Sequence, residues 1–253
     1  MEKLFKFVIL IYLLSQYSLS FSQSVETFDG LAKIPLDIYK SREPNSPTIV
    51  YAHGCSGYDK YDIQKARLMR DWGFNVVVAE YTRGRGLANK TGPKGSNITC
   101  EQGYISYPML QRSDDLMVVG KWVLQQEWHK GRIGAIGFSL GGGAVEYLIN
   151  NTKEINPFSA GISFYPYCRY QLLTDEKTLP NQFHIGTLDE GYERCIFLNR
   201  TESRHNIFTY ENATHAFDNN WTHINRNGYT YDKESTRIAF ERVKVFFNTE
   251  LRK

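Results

Sequence analysis

The chain has 253 residues, a length that suits one α/β domain, since single domains of that class reach about 200–250 residues. Hydrophobic residues make up 42% of it and charged residues 23%, which is ordinary for a globular protein. The formal net charge is +3, and no uninterrupted basic run occurs, so nothing indicates the clustered basic face that nucleic-acid binding needs.

The first 22 residues have the pattern of a secretory signal peptide. Lys3 and Lys6 precede an apolar run at 7–14, and small polar residues follow as far as Ser22. We expect cleavage near Ser22/Gln23, leaving a mature domain of residues 23–253 that is exported, to a periplasm or outside the cell. The alternative is an uncleaved membrane anchor. The apolar run is short for that role, because a spanning helix takes about 20 apolar residues.

Short apolar runs then alternate with amphipathic stretches, which predicts βαβ units in a mostly parallel sheet with helices on both faces. The predicted strands are a hairpin at 25–39 and single strands at 48–52, 75–79, 132–138, 160–165, 182–186 and 206–210. The predicted helices begin at Tyr61, Ser113, Leu140 and Asp232. Ser113 is predicted to be a helix N-cap, with Asp114 and Asp115 in the first turn. His129 is expected at the surface.

Residues 82–107 are rich in glycine and show little periodicity. A long irregular loop in a compact domain is usually functional or disordered. Because this one follows the strand at 75–79, we expect it to border the site. Arg83 or Arg85, at its start, is a candidate to hold a substrate carboxylate. A solvated surface arginine is an equally good interpretation of each.

A candidate nucleophile, Ser139, occurs where a predicted strand meets a predicted helix. It is the serine of the pattern G-x-S-x-G, as Gly-Phe-Ser-Leu-Gly at 137–141. That chemistry needs a sharp, strained turn with glycines where backbones approach each other. The backbone N–H of Leu140, the residue after the nucleophile, is one expected oxyanion donor. The alternative is a structural turn with an ordinary serine.

The acid and the base of such a site are expected later in the chain, in that order. Asp189 follows the strand at 182–186, where its carboxylate can orient a histidine and stabilise the imidazolium. A helix cap is the alternative role for Asp189. Its rivals as the acid are Glu190, Glu193 and Asp175. His215 follows the last strand and is the candidate general base, with His223 as a weaker rival.

A second oxyanion donor is expected in the turn after the strand at 48–52. Residues 53–57 read His-Gly-Cys-Ser-Gly, and a glycine there allows a backbone N–H to face a carbonyl oxygen. Cys55 is the first candidate donor and Ser56 the second. A plain tight turn is the alternative.

Together these residues resemble the dienelactone hydrolase family of α/β hydrolases. The resemblance covers about residues 25–250 and depends on segments 53–57, 137–142, 164–168, 186–189 and 213–217. It implies a single α/β-hydrolase domain with a Ser or Cys nucleophile, an Asp and a His, and neither a metal nor another cofactor. The family's namesake enzymes carry Cys where this chain has Ser139. That difference weakens any claim to a dienelactone substrate.

The four cysteines are expected to form disulfides, because exported proteins meet an oxidising environment. Sequence alone allows three pairings of four cysteines. Cys168 and Cys195 follow adjacent strands, so we predict one bridge between them. Cys55 and Cys100 lie in loops on the same face and are predicted to form the other. Free buried thiols are the alternative.

These expectations define a serine hydrolase that cleaves small carboxylic esters or lactones through an acyl-enzyme. The expected triad is Ser139, Asp189 and His215. A serine peptidase or amidase is one alternative, because it uses the same triad. A catalytically silent domain that binds a ligand or partner is the other. We expect no nucleic-acid partner and no membrane span after signal cleavage.

Overall fold

The computed structural model describes residues 23–55, 57–85, 109–150, 155–168, 178–202, 205–220 and 228–253. The predicted signal peptide lies outside these ranges. The strands are β1 (Gln23–Glu26), β2 (Lys33–Tyr39), β3 (Thr48–Ala52), β4 (Asn75–Ala79), β5 (Ile133–Phe138), β6 (Phe158–Phe164), β7 (Asn181–Gly186) and β8 (Asn206–Tyr210). The helices are α1 (Lys60–Asp71), α2 (Tyr81–Gly84), α3 (Met109–Leu124), α4 (Leu140–Asn150), α5 (Tyr192–Glu202) and α6 (Lys233–Leu251).

The strands form one eight-stranded sheet in the order β1-β2-β4-β3-β5-β6-β7-β8. β1 pairs antiparallel with β2, and β2 with β4. All other neighbours are parallel. The predicted mostly parallel α/β sheet is therefore confirmed. Its topology brings the carboxyl ends of β3 to β8 to one edge, where ligands bind in open α/β sheets.

Hydrophobic cores lie on both faces of the sheet, because neighbouring residues of a strand point to opposite faces. On β4, Val77 is buried in a core that includes Val119 of α3 and Leu148 of α4. Val76, its neighbour, is buried in the other core, with Met69 of α1 among others. The helices on both faces thereby shield the parallel strands, as a parallel sheet requires.

The predicted starts of α1 and α6 agree with the structure to within one residue, whereas the predicted start of α3 does not. Asp59 caps α1, accepting hydrogen bonds from the backbone N–H groups of Tyr61 and Asp62, and Asp232 caps α6. The predicted N-cap at Ser113 is wrong, because α3 already begins at Met109 and Ser113 is buried within it. Asp115 is likewise inside the helix. Its buried carboxylate forms an ion pair with Arg85.

Two further expectations concern loops. Tyr81 to Gly84 form the short helix α2, while residues 86–108, most of the predicted irregular loop, lie outside the described ranges. The expected exposure of His129 is wrong. Its Nδ1 lies 2.8 Å from the Thr48 hydroxyl oxygen, and this hydrogen bond compensates for burial of the ring.

No helix within the described ranges is long and apolar enough to cross a membrane.

Candidate active site

Ser139 occupies the tight turn between β5 and α4. Its φ of 54° lies in the left-handed region, which a residue other than glycine seldom adopts. Both flanking glycines are sterically required. A Cβ at Gly137 would overlap the carbonyl oxygen of Gly141, and one at Gly141 would overlap that of Ala52. The predicted strained turn is therefore present, and it places Ser139 at the carboxyl edge of the sheet.

His215 connects Ser139 to Asp189. The Nε2 atom of His215 lies 3.0 Å from Ser139 Oγ, and Nδ1 lies 2.7 Å from Asp189 Oδ2. With the proton on Nδ1, the imidazole donates to the carboxylate and accepts from the serine hydroxyl, so both contacts are hydrogen bonds. The structure brings together the three residues predicted as nucleophile, base and acid, in the geometry of a Ser-His-Asp triad.

Asp189 lies just past β7, and its side chain is 2% exposed. The two carboxylate oxygens of Asp189 have different roles, one in orienting the histidine and one in capping the turn before the next helix. Oδ2 contacts His215, while Oδ1 accepts the backbone N–H of Gly191 at 2.7 Å. The second bond stabilises the turn before α5 and fixes the carboxylate against the imidazole. Glu190, one of the rivals, is exposed.

The turn after β3 lies directly against Ser139. A Cβ at Gly54 would be 3.6 Å from Ser139 Cβ, so this glycine permits the close approach. Beneath the turn, the His53 ring stacks on Tyr81 with centroids 4.4 Å apart, and the Tyr81 hydroxyl donates to the His53 carbonyl. Burial lowers the pKa of His53 to about 4, so this histidine is neutral near pH 7. Cys55 follows in the same turn.

The other predicted oxyanion donor, Leu140, is the first residue of α4. Its N–H belongs to a helix N-terminus, where backbone donors and the helix dipole favour negative charge. Leu140 directly follows Ser139, whereas Cys55 belongs to the separate turn after β3, where its neighbour Gly54 approaches Ser139. Ser56, the second candidate in the turn after β3, lies outside the described ranges.

The model of the dienelactone hydrolase family matches residues 36–251. The chain belongs to the dienelactone hydrolase family. The resemblance carried by the sequence motifs is thereby confirmed, and membership supports hydrolysis of an ester or lactone bond. No curated protein matches the chain.

Solved structures of similar fold support the same architecture. A dienelactone hydrolase from Anabaena variabilis has a TM-score of 0.65 and 15% identity, covering 91% of this chain and 97% of that one. A dienelactone hydrolase-like promiscuous phosphotriesterase from metagenomic libraries has a TM-score of 0.68 and 16% identity, covering 90% and 98%. An esterase from Pyrococcus furiosus has a TM-score of 0.58 and 16% identity, covering 90% and 92%.

Three tyrosines, not predicted as site residues, surround the triad of this dienelactone hydrolase family member. The ring centroids of Tyr165 and Tyr229 lie 4.6 Å and 5.1 Å from that of His215. Burial raises the pKa of Tyr167, and the nearby side chain of Ser139 opposes this shift. Tyr165 and Tyr167 follow the carboxyl end of β6, which is a usable sequence signal. Tyr229 lies far from any strand end in the sequence.

The two arginines predicted as substrate ligands have carboxylate partners within the protein. Arg83 is exposed and lies 3.2 Å from Glu80. Arg85 contacts Asp29 at 2.9 Å and the buried Asp115 at 3.0 Å. Arg83 therefore fits the surface alternative. The guanidinium of Arg85 joins two segments of the fold.

The predicted disulfide between Cys168 and Cys195 is confirmed. It ties the segment after β6, which carries Tyr167, to α5. The backbone N–H of Cys168 also donates to the buried carboxylate of Glu146 on α4, at 3.1 Å. Cys55 is disulfide-bonded as well. The partner predicted for it, Cys100, lies outside the described ranges.

No group of three or more His, Cys, Asp or Glu side chains that could hold a metal ion occurs in the described part of the chain.

Proposed function

We propose that this protein is an exported serine esterase that hydrolyses carboxylic esters or lactones through an acyl-enzyme. The observation that carries the proposal is the hydrogen-bonded series from Ser139 through His215 to Asp189, with separations of 3.0 Å and 2.7 Å. Membership of the dienelactone hydrolase family supports the choice of ester or lactone bonds. The family's nucleophile position is occupied by a serine, whose hydroxyl needs a base because it is almost never ionised near pH 7.

Acylation begins when Ser139 Oγ attacks the carbonyl carbon and His215 Nε2 takes the hydroxyl proton. Asp189 stabilises the imidazolium without taking that proton. The oxyanion accepts hydrogen bonds from the N–H groups of Cys55 and Leu140, each worth about 2.7–4 kcal/mol in the transition state. The tetrahedral intermediate then expels the alkoxide, which receives the proton from His215. In a lactone, this alcohol remains attached to the acyl group.

Deacylation repeats these steps with water. His215 removes a proton from a water molecule, which attacks the acyl carbon, and the second tetrahedral intermediate expels Ser139 Oγ. His215 then returns the proton to the serine.

A fluorophosphonate probe tests the nucleophile directly, because it phosphonylates only an activated serine. We expect labelling at Ser139 in the wild type and neither labelling nor ester turnover in Ser139→Ala. Ser163→Ala is the matched control. Ser163 is also a buried serine, but its hydroxyl donates to the carbonyl of Gly142 at 2.9 Å. A folded wild-type protein that takes up no probe would overturn the proposal.

A panel of p-nitrophenyl esters, lactones and p-nitroanilides separates an esterase from an amidase with the same triad. We expect turnover of esters and lactones and slower turnover of anilides, because the leaving amine of an amide must be protonated before it departs. Faster turnover of anilides would identify an amidase. Absence of turnover across the whole panel, in protein that is folded, would identify a binding domain.

Export is the second part of the proposal. The Cys168–Cys195 disulfide supports it, because disulfides persist in oxidising compartments and are rare in the cytosol. Expression of the full chain followed by amino-terminal sequencing of the exported protein tests it. We expect the mature chain to begin near Gln23. Retention of residues 1–22 on a membrane-bound protein would contradict cleavage.

A further inference from the structure

A buried ion pair lies beside the segment that carries His215. Lys65 Nζ, from α1, is 2.5 Å from Asp218 Oδ2, and the two side chains are 8% and 0% exposed. Burying two charges costs desolvation that their attraction often fails to repay, so an ion pair of this kind is weak evidence of stabilisation. Asp218 is only three residues beyond His215. The location therefore points to a role in the site.

Tyr165 forms a hydrogen bond with the other oxygen of the Asp218 carboxylate. Its hydroxyl donates to Asp218 Oδ1 at 2.6 Å, and its ring lies 4.6 Å from the ring of His215. The backbone of Tyr165 is itself fixed to the sheet, because its N–H donates to the His184 carbonyl at 2.7 Å. Tyr165 thus connects the carboxyl end of β6 both to the imidazole and to Asp218.

Lys65 connects the pair to the strand of the nucleophile. Its Nζ lies 3.9 Å from the centroid of the Phe138 ring, a cation–π distance. Phe138 immediately precedes Ser139. The Lys65–Asp218–Tyr165 group therefore contacts the residue before the nucleophile at one end and the catalytic imidazole at the other.

We propose that Asp218, held by Tyr165 and Lys65, is a positioning residue that keeps His215 within hydrogen-bonding distance of Ser139. The inference rests on the proposed function and adds to it. Asp189 orients the imidazole through Nδ1, whereas Asp218 fixes the segment that carries it. Small displacements matter here, because moving a reacting group by about 1 Å can lower a rate about a hundredfold.

Tyr165→Phe is the sharpest test, because it removes one hydroxyl and leaves the Lys65–Asp218 pair and the ring beside His215 in place. Tyr51→Phe is the matched control. The Tyr51 hydroxyl also donates to a buried carboxylate, Asp62, at 2.6 Å, and its ring also packs near Phe138. Each variant therefore loses one buried hydrogen bond from a tyrosine hydroxyl to a carboxylate. Only the one at Tyr165 reaches the His215 segment.

We expect Tyr165→Phe to lower kcat roughly 10- to 100-fold with KM changed less than about twofold, because the base is displaced while substrate contacts persist. Fluorophosphonate labelling of Ser139 should slow in parallel. Tyr51→Phe should stay within about twofold of the wild type in kcat at a similar loss of thermal stability. Equal kcat values for the two variants would reduce Asp218 to a structural residue and overturn the inference.

A measurement that needs no substrate separates this inference from the proposed function. The nitrogen NMR signals of His215 report its tautomer and hydrogen bonding in the resting protein. We expect Tyr165→Phe, but not Tyr51→Phe, to shift them towards a mixture of tautomers. If the wild type hydrolyses no ester but these signals still shift, the proposed function fails and the positioning role stands. If the wild type hydrolyses esters but Tyr165→Phe leaves the His215 signals unchanged, only the positioning role is overturned.

Discussion

Arg85 binds Asp115 through two hydrogen bonds, from Nε to Oδ2 at 3.0 Å and from Nη2 to Oδ1 at 3.1 Å. The Asp115 side chain is 0% exposed, and its Oδ1 also accepts the backbone N–H of Phe28 at 2.9 Å. A further bond from Arg85 to Asp29 holds the pKa of that carboxyl well below its usual range. Arg85 thereby joins the β1–β2 turn to helix α3.

Replacing Arg85 is expected to affect stability and not substrate binding. Arg85→Ala leaves the Asp115 carboxylate buried without this partner, which costs about 3 kcal/mol of the free energy of unfolding. Arg83→Ala, at an exposed position, should cost less than about 0.5 kcal/mol. Urea unfolding measures both values. A rise in KM confined to esters that carry a carboxylate would instead assign Arg85 to the substrate.

Local patterns explain how much of the fold could be predicted. The strands at 48–52, 75–79 and 206–210 have the predicted bounds, because each is a short segment rich in β-branched or aromatic residues. Ser139, Asp189 and His215 could also be predicted from the sequence in this order, since each follows the end of a predicted strand. These signals need no knowledge of distant residues.

Features that depend on distant partners could not be read in the same way. Ser113 resembles an N-cap locally, but it lies inside α3, and the buried Asp115 two residues later pairs with Arg85 from a different part of the chain. The pairing of Lys65 with Asp218 likewise joins segments that are adjacent only after the sheet has formed. No periodicity or spacing in the sequence indicates either ion pair.

Asp189→Asn should separate catalysis from folding. The amide oxygen can still accept the Gly191 N–H, so the turn before α5 survives. The amide nitrogen would face His215 Nδ1 and favour the tautomer with its proton on Nε2, which cannot accept the proton of Ser139. We expect kcat to fall by about 10⁴-fold with thermal stability nearly unchanged. Glu190→Gln, at the exposed neighbour, is the control, and an equal loss there would contradict the assignment of the acid.

The close contacts around Gly141 predict that replacing it with alanine destabilises the protein more than the same change at Gly143, the other glycine of α4 compared. A Cβ at Gly141 would overlap the Ala52 carbonyl oxygen and lie 2.6 Å from that of His53, so the turn beside Ser139 must move. Gly141→Ala should lose about 3 kcal/mol and nearly all activity. At Gly143 the nearest atom is the flexible end of the Met109 side chain, which can rotate away. Gly143→Ala should retain a stable fold, as thermal unfolding would show. Equal losses would contradict this interpretation of the turn.

His184 predicts a specific dependence of stability on pH. Its ring stacks on Phe164 with centroids 4.6 Å apart, and Nδ1 lies 2.7 Å from the Tyr210 hydroxyl. Burial, with a smaller effect of the Arg242 charge, lowers its pKa from 6.5 to about 3. Between these values the unfolded chain binds a proton that the folded protein does not. This contribution to stability is therefore complete above pH 6.5 and declines as the pH falls towards 3.

The decline should be measurable in mildly acidic solution. From pH 6.5 to pH 5, protonation of His184 in the unfolded chain should lower the free energy of unfolding by about 2 kcal/mol. His184→Gln removes the titrating group and keeps a polar side chain next to Tyr210. Urea unfolding at several pH values should therefore show a shallower slope for the variant, whatever its stability at neutral pH. Parallel slopes for variant and wild type would mean that His184 becomes charged within the folded protein, which would contradict a buried, neutral imidazole.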